Sequence, residues 1–169
     1  MRVLFSVCFA LAAFTHSVSA QSFLPAVWMG KCFAHFDAAE DPVVSYYYET
    51  RCATYPAEMC AFVQDPVACY ESFASALKTE ADRLINELPS FIQGEGTTID
   101  GLNETLTRAR DMRYDGLCDA VLKGAFESER VHMPDVISYG DYCALKEASV
   151  RVNELRYIRG QLTLLDSAK

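Results

Sequence analysis

Residues 102–155, LNETLTRARDMRYDGLCDAVLKGAFESERVHMPDVISYGDYCALKEASVRVNEL, contain two segments whose apolar residues recur at helical spacing. In the first segment, five apolar residues fall on or near one stripe of a helix surface: Leu102, Leu106, Ala109, Leu117 and Val121. The second repeats at steps of 3, 4 and 3 through Leu145, Ala148, Val152 and Leu155. A polar connection that contains glycine and proline separates them. The pattern predicts an antiparallel helical hairpin.

Each half of this hairpin carries one cysteine, Cys118 near the end of the first helix and Cys143 at the start of the second. A disulfide between them would close 25 residues (143 minus 118). In the chain-entropy treatment such a bridge stabilises the fold by ~3.5 kcal/mol. The alternative is two buried cysteines with no bond between them.

The first 20 residues have the features of a secretory signal peptide. Arg2 precedes an apolar run over residues 3–14, and Val18-Ser19-Ala20 resembles a signal-peptidase site. The run is shorter than the ~20 apolar residues that a membrane-spanning helix needs. Cys8 lies too early to be the lipid-modified first residue of a mature lipoprotein. We therefore expect cleavage before Gln21 and a periplasmic or secreted protein that is not embedded in a membrane.

Removing the signal peptide leaves six of the seven cysteines, an even number that favours three disulfides in an exported chain. Fifteen pairings are possible. Besides Cys118–Cys143, nearest-neighbour closure favours Cys32–Cys52 and Cys60–Cys69, because short loops lose least chain entropy on closing. Zinc binding is disfavoured, since these spacings lack the C-x₂-C form and only two histidines remain.

The apolar periodicity predicts three long helices, near residues 70–88, 100–123 and 141–159, in an all-α, disulfide-stapled small bundle. The first follows Phe73, Leu77, Ala81, Leu84 and Leu88 until Pro89 stops it. Gly160 is expected to close the last helix. The domain division that follows is a signal peptide over 1–20, an irregular N-terminal extension over 21–51, a helical domain over 52–160 and a C-terminal tail over 161–169.

The extension contains a β-prone run over residues 43–48, which predicts either a short strand or a helical turn packed on the bundle. The run ends in three consecutive tyrosines, Tyr46, Tyr47 and Tyr48. Tyrosine is enriched at protein interfaces, so these side chains are candidate partner-binding residues. The alternative is that one or two of them belong to the core and the third is incidental.

The mature chain carries 23 acidic residues and, once Arg2 is removed, 14 basic ones. A net charge near −9 makes nucleic acid an improbable partner, because nothing neutralises its phosphates. The charge favours a basic protein partner, although acidity can also serve only solubility.

Catalytic motifs are missing from the sequence, which has no G-x-S-x-G elbow, no H-E-x-x-H and no glycine-rich phosphate loop. No cofactor, metal or enzymatic activity is therefore expected. A hydrolase with an unrecognised site remains an alternative, which two converging carboxyls or a His–carboxylate pair in a pocket would favour. Asn103-Glu104-Thr105 forms an N-glycosylation sequon.

The segments around Cys118 and Cys143 resemble the LprI-type lysozyme-inhibitor N-terminal domain family, whose last helix has a cysteine followed by arginine eight residues on and leucine twelve residues on. Here Arg151 and Leu155 follow Cys143 at those spacings. Asp115, three residues before Cys118, matches the aspartate of the family's Tyr-Arg-Asp triplet, although it follows Arg-Tyr. Arg110 replaces the family's tryptophan, and Asp82-Arg83-Leu84 matches the first helix only in part.

The resemblance covers residues 52–155 and implies an all-helical domain located in the cell envelope, with lysozyme inhibition in some members. Many lysozymes are strongly basic, so an acidic chain would be steered toward them. We therefore expect a protein-binding domain that could inhibit a lysozyme by steric occlusion of its cleft. The segment expected to enter the cleft is residues 125–141, with the acidic side chains Glu127, Glu129 and Asp135. The alternative function is that of a structural or accessory envelope protein without lysozyme affinity.

Overall fold

The computed structural model describes residues 24–38, 49–111 and 137–168. Within these ranges the secondary structure is helical, with five α-helices, one 3-10 helix and no strand. The elements are α1 (Pro25–Asp37), the 3-10 helix (Thr50–Ala53), α2 (Tyr55–Cys60), α3 (Pro66–Glu87), α4 (Thr97–Asp111) and α5 (Tyr139–Ser167). The predicted all-α, disulfide-stapled bundle is confirmed.

Helix α3 begins at Pro66, four residues before the predicted start. The side chain of Asp65 caps it by accepting a hydrogen bond from the backbone N–H of Ala68 at 3.1 Å. Proline fits the first helical position, where its missing N–H has no partner to lose. The helix ends at Glu87 because Leu88, which precedes Pro89, adopts an extended backbone. The predicted stop is therefore confirmed.

Helix α5 is longer than the sequence predicts. It begins after Ser138, whose hydroxyl accepts a hydrogen bond from the N–H of Asp141 at 3.1 Å, and it runs to Ser167. The prediction that Gly160 ends the helix and that 161–169 form a tail is wrong. Gly160 keeps helical geometry, since only Gly94 and Gly96 have positive φ among the described glycines. Leu162 packs against the core and holds the added turns in place.

The N-terminal extension is also more regular than predicted. Residues of α1 that lie four apart, Met29 and Phe33, are both buried in the core. Cys32 on the same helix is bonded to Cys52 in the 3-10 helix. The division at residue 51 therefore does not separate a loose arm from the bundle, because α1 contributes to the same hydrophobic core.

The core lies between α3, α4 and α5, with α1 and α2 covering one side of α3. Leu84 and Val152, both predicted on apolar stripes, are fully buried. The predicted Cys118 position, the run over 43–48, the signal peptide and the end of the second long helix near residue 123 lie outside the described residues.

Candidate functional site

The partner-binding residues predicted from the sequence all lie outside the described residues. These are the acidic side chains Glu127, Glu129 and Asp135 and the three tyrosines Tyr46, Tyr47 and Tyr48. The described residues contain an exposed aromatic side chain, a groove and a buried charge, each with its own geometry.

Two disulfides join the N-terminal half, in the arrangement that short-loop closure favours. Cys32 is bonded to Cys52 with the Cα atoms 5.6 Å apart, and Cys60 to Cys69 with the Cα atoms 5.4 Å apart. Cys143 is also disulfide-bonded, to a partner outside the described residues. The Cys118–Cys143 pairing thus stays a prediction. Disulfides built into the core indicate folding in an oxidising environment.

The Cys60–Cys69 bridge closes a loop between α2 and α3 that presents Phe62 to solvent. The Phe62 side chain is 84% exposed, the highest value for a large apolar residue in the described ranges. Its backbone N–H donates to the carbonyl of Met59 at 3.1 Å. The bridge at its ends and the Asp65 cap beside it constrain this loop, although the Phe62 ring is mostly exposed.

A groove of about 360 Å³ lies between the first half of α3 and the start of α5. Its walls are mostly small or aliphatic, with two carboxylates among them: Val67, Glu71, Ala74, Ile137, Asp141, Ala144, Leu145 and Ala148. Alanines at three of these positions leave the space open. Val67 belongs both to the groove and to the disulfide-closed loop, and its side chain is about half exposed.

At another place on the bundle, α5 buries a positive charge. The Arg156 side chain is only 2% exposed and donates hydrogen bonds to carboxylates from three separate parts of the chain. The distances are 2.6 Å to Asp37 and 3.1 Å to Glu80, and Glu49 is the third acceptor. The guanidinium carbon also lies 3.9 Å from the ring centroid of Phe33. We call Arg156 and these three carboxylates the Arg156 cluster.

Within the Arg156 cluster, Glu80 is held in its ionised form. Burial alone would raise the pKa of Glu80, but hydrogen bonds from Arg83 and the charges of Arg83 and Arg156 outweigh burial and lower it. A carboxylate held in its charged form is a poor proton donor near neutral pH. The cluster therefore has the chemistry of an internal tie between helices, and not of a general acid–base pair.

Two further arginines bind the ends of helices. Arg151 donates to the carbonyls of Ala109 at 2.7 Å and Arg110 at 3.1 Å, where α4 ends. Arg110 donates to the carbonyls of Leu88 and Pro89, just past the end of α3. Leu155 is fully buried. Arg151 and Leu155, two of the residues that carry the family resemblance, therefore have architectural roles.

The charge distribution follows from this use of arginine. Every described arginine except Arg51 donates a hydrogen bond to another group of the protein. In contrast, seven exposed carboxylates form neither an ion pair nor a side-chain hydrogen bond within the described ranges: Glu58, Glu71, Asp82, Glu95, Asp100, Glu104 and Asp111. The described surface therefore exposes carboxylates to solvent, while most of the described guanidinium groups are hydrogen-bonded within the protein.

The Asn103 side chain forms two hydrogen bonds within the fold. Its amide oxygen accepts from the backbone N–H of Ile92 at 2.7 Å, and its amide nitrogen donates to the Ile92 carbonyl at 3.0 Å. This pair of bonds fastens the loop between α3 and α4 onto α4.

Gly94 in that loop has φ of 146°, and a Cβ there would collide with Ile99. Phe91, next to the buried Ile92, is 63% exposed.

The described ranges contain no group of three His, Cys, Asp or Glu side chains placed to hold a metal ion. Nor does any helix in those ranges have the length and apolar character needed to cross a membrane.

Sequence reasoning missed Arg156 and Phe62, and each had a signal. Arg156 follows Val152 by four residues, so it falls on the apolar stripe of α5, where a charge needs a buried partner. Phe62 stands between two cysteines and outside any helical period, so no helix face could bury it.

Comparison with protein-family models, curated proteins and solved structures finds no match to this chain. The resemblance to the LprI-type family thus stays a prediction.

Proposed function

We propose that this protein is exported by a cleaved signal peptide, resides in the periplasm or outside the cell, and binds a basic protein. A lysozyme is the most specific candidate partner, inhibited by steric occlusion of its cleft without chemistry on the inhibitor's side. The observation that carries the proposal is the charge arrangement: guanidinium groups are occupied within the fold while carboxylates face solvent.

Electrostatic complementarity of this kind mainly raises the rate of association and selects the partner. The two disulfides support export, since such bonds persist in oxidising compartments. Residues 125–141 remain the segment proposed to reach the cleft. Glu127, Glu129 and Asp135 in that segment are acceptors suited to a basic rim.

The test is turnover of a basic lysozyme with excess mature protein, first unmutated and then with Glu127, Glu129 and Asp135 changed together to Ala. We expect inhibition by the unmutated protein and its loss in the triple variant. A matched control changes Asp82, Glu95 and Asp100 to Ala, which removes the same charge from exposed positions that form no ion pair with any described residue. The control should still inhibit.

Three other results would redirect the assignment. Full inhibition by the loop variant would move the site, with residues 46–48 examined next. Equal loss in both triple variants would indicate steering by net charge alone. No effect of the unmutated protein on any lysozyme would favour the accessory envelope protein.

A further inference from the structure

We propose that the disulfide-closed loop over residues 60–69 and the adjoining groove between α3 and α5 form a docking surface for a protein segment that pairs an apolar side chain with Lys or Arg. The inference rests on the proposed function, because it assumes a basic partner. It deepens that function by naming a contact surface that shares only Ile137 and Asp141 with residues 125–141, and the chemistry that the surface recognises.

The first argument is the presentation of Phe62. A phenylalanine exposed to 84% leaves most of its apolar area in water, although burying it would be favourable. The loop around it is fixed by the Cys60–Cys69 bond, by the hydrogen bond from its own N–H to Met59 and by the Asp65 cap. Little conformational entropy would then remain to be lost on binding, which is the property of a preorganised anchor.

The second argument is the space beside that loop. Val67 continues the loop into the first turn of α3 and lines the groove, whose volume of about 360 Å³ is at the low end for ligand pockets. Ile137 and Leu145 provide apolar wall, while Ala74 and Ala144 are exposed and leave the groove accessible. A cleft of this size suits side chains of a peptide segment.

The third argument is charge. Two carboxylates, Glu71 and Asp141, line the groove, and none of its described lining residues is basic. Glu71 forms no ion pair within the described residues, and Asp141 is positioned at the start of α5 by the Ser138 hydroxyl, which donates to it at 2.6 Å. A cation beside an apolar side chain therefore complements the groove. A second copy of this acidic chain, or an anionic lipid surface, would be repelled.

The experiment uses the mature protein and a short synthetic peptide of alternating Leu and Lys, with a Leu/Glu peptide of equal length as the charge control. Binding is measured by calorimetry at 0.15 M salt and located by NMR shifts of the alanine methyls. One variant, Ala144→Trp, fills the groove from an exposed helical position without changing the charge. A second, Phe62→Ser, removes the anchor. The matched control is Phe91→Ser, which alters an exposed phenylalanine of another loop.

We expect the Leu/Lys peptide to bind and to shift the methyls of Ala74, Ala144 and Ala148. Phe62→Ser and Ala144→Trp should each weaken binding by about tenfold or more, since a buried aromatic or aliphatic side chain contributes an energy of that order. Phe91→Ser should bind as the unmutated protein does, and the Leu/Glu peptide should not bind.

Equal affinity of all variants would overturn the proposal, because the peptide would then be held by net charge alone. Failure of the Leu/Lys peptide to bind, or dimerisation through this face in sedimentation, would overturn it as well. The lysozyme assay is independent of these outcomes. A lysozyme that is not inhibited, together with a peptide that binds at the groove, would reject the lysozyme and keep the docking surface.

Discussion

Arg156 and Phe62 each occupy the environment that is unusual for their residue type, because arginine is usually exposed and phenylalanine usually buried. The guanidinium of Arg156 is buried to 2% exposure, whereas the ring of Phe62 is 84% exposed. Around Arg156 three carboxylates and an aromatic face replace the lost water. Within the part of the chain that the structure describes, the Phe62 ring is left mostly without apolar contacts. The buried charge is thus explained by folding alone, while the exposed ring is available for a partner.

The largest expected effect comes from removing the buried charge. Arg156→Met should lower the free energy of unfolding by about 3 kcal/mol or more, because Glu49 would remain partly buried without its cation and Glu80 would keep only its pair with Arg83. Urea unfolding followed by circular dichroism measures this value. Arg108→Met serves as the control, since its pair with Glu154 is more exposed and should contribute about 0–1 kcal/mol. Equal costs for the two variants would show that the Arg156 cluster is not a structural tie.

The next effect concerns the two disulfides. Cys32–Cys52 lies beside Phe33, which contacts Arg156, and Cys60–Cys69 closes the loop that carries Phe62. In the chain-entropy treatment, replacing Cys60 and Cys69 by Ala should cost ~2.5 kcal/mol, and replacing Cys32 and Cys52, whose loop is longer, ~3 kcal/mol. Thermal unfolding of both variants gives the stabilities. Only the Cys60/Cys69 variant should also weaken peptide binding, because it frees the Phe62 loop. If the Cys32/Cys52 variant bound the peptide more weakly and the Cys60/Cys69 variant did not, the rigidity of the Phe62 loop would not be needed for peptide binding.

A smaller effect is the pH dependence that Glu80 contributes. Its pKa is lowered in the folded state, so its stabilisation is present above the ordinary glutamate pKa of about 4.3 and is lost as the pH falls through the folded-state value. Glu80→Gln should therefore melt at a lower temperature than the unmutated protein at pH 7. The difference should shrink below about pH 4. A difference that stays constant from pH 7 to pH 3 would assign the effect to packing.

The smallest effect is expected at the exposed ring. Phe62→Ser should change the free energy of unfolding by less than about 0.5 kcal/mol, because the ring makes no core contact. Phe73→Ala, at a fully buried position of α3, should cost about 3–5 kcal/mol. Chemical denaturation of both variants tests the contrast. A large loss at Phe62 would mean that the ring stabilises the fold and is not reserved for binding.

The long helices could be predicted from the sequence because each has an apolar residue every three or four positions. Leu84 and Val152 are buried as their spacing indicates. The ends were less predictable. Gly160 resembles a helix stop, yet α5 continues because Leu162 packs against the core. A local sequence pattern does not reveal that contact. Similarly, α1 is held by Phe33 against the bundle and by the Cys32–Cys52 bond, and neither is visible in a short window.

The candidate surface was less accessible to sequence reasoning than the fold. Acidic composition indicated a basic partner, but which carboxylates face solvent depends on where the arginines are used. Two helices contribute to the groove, and their lining residues, such as Val67 and Ala144, lie more than 60 positions apart in the sequence. Only packing brings these residues together.

The sequence by itself determined the helical class, the positions of the core stripes and the acidic character, because each depends on local periodicity or on a sum over residues. Only the tertiary structure decided which groups are removed from water. Burial of Arg156 requires carboxylates from residues as far away as Asp37, and exposure of Phe62 requires that no other element reaches it. Both are properties of contacts between distant segments, and such contacts exist only once the chain has folded.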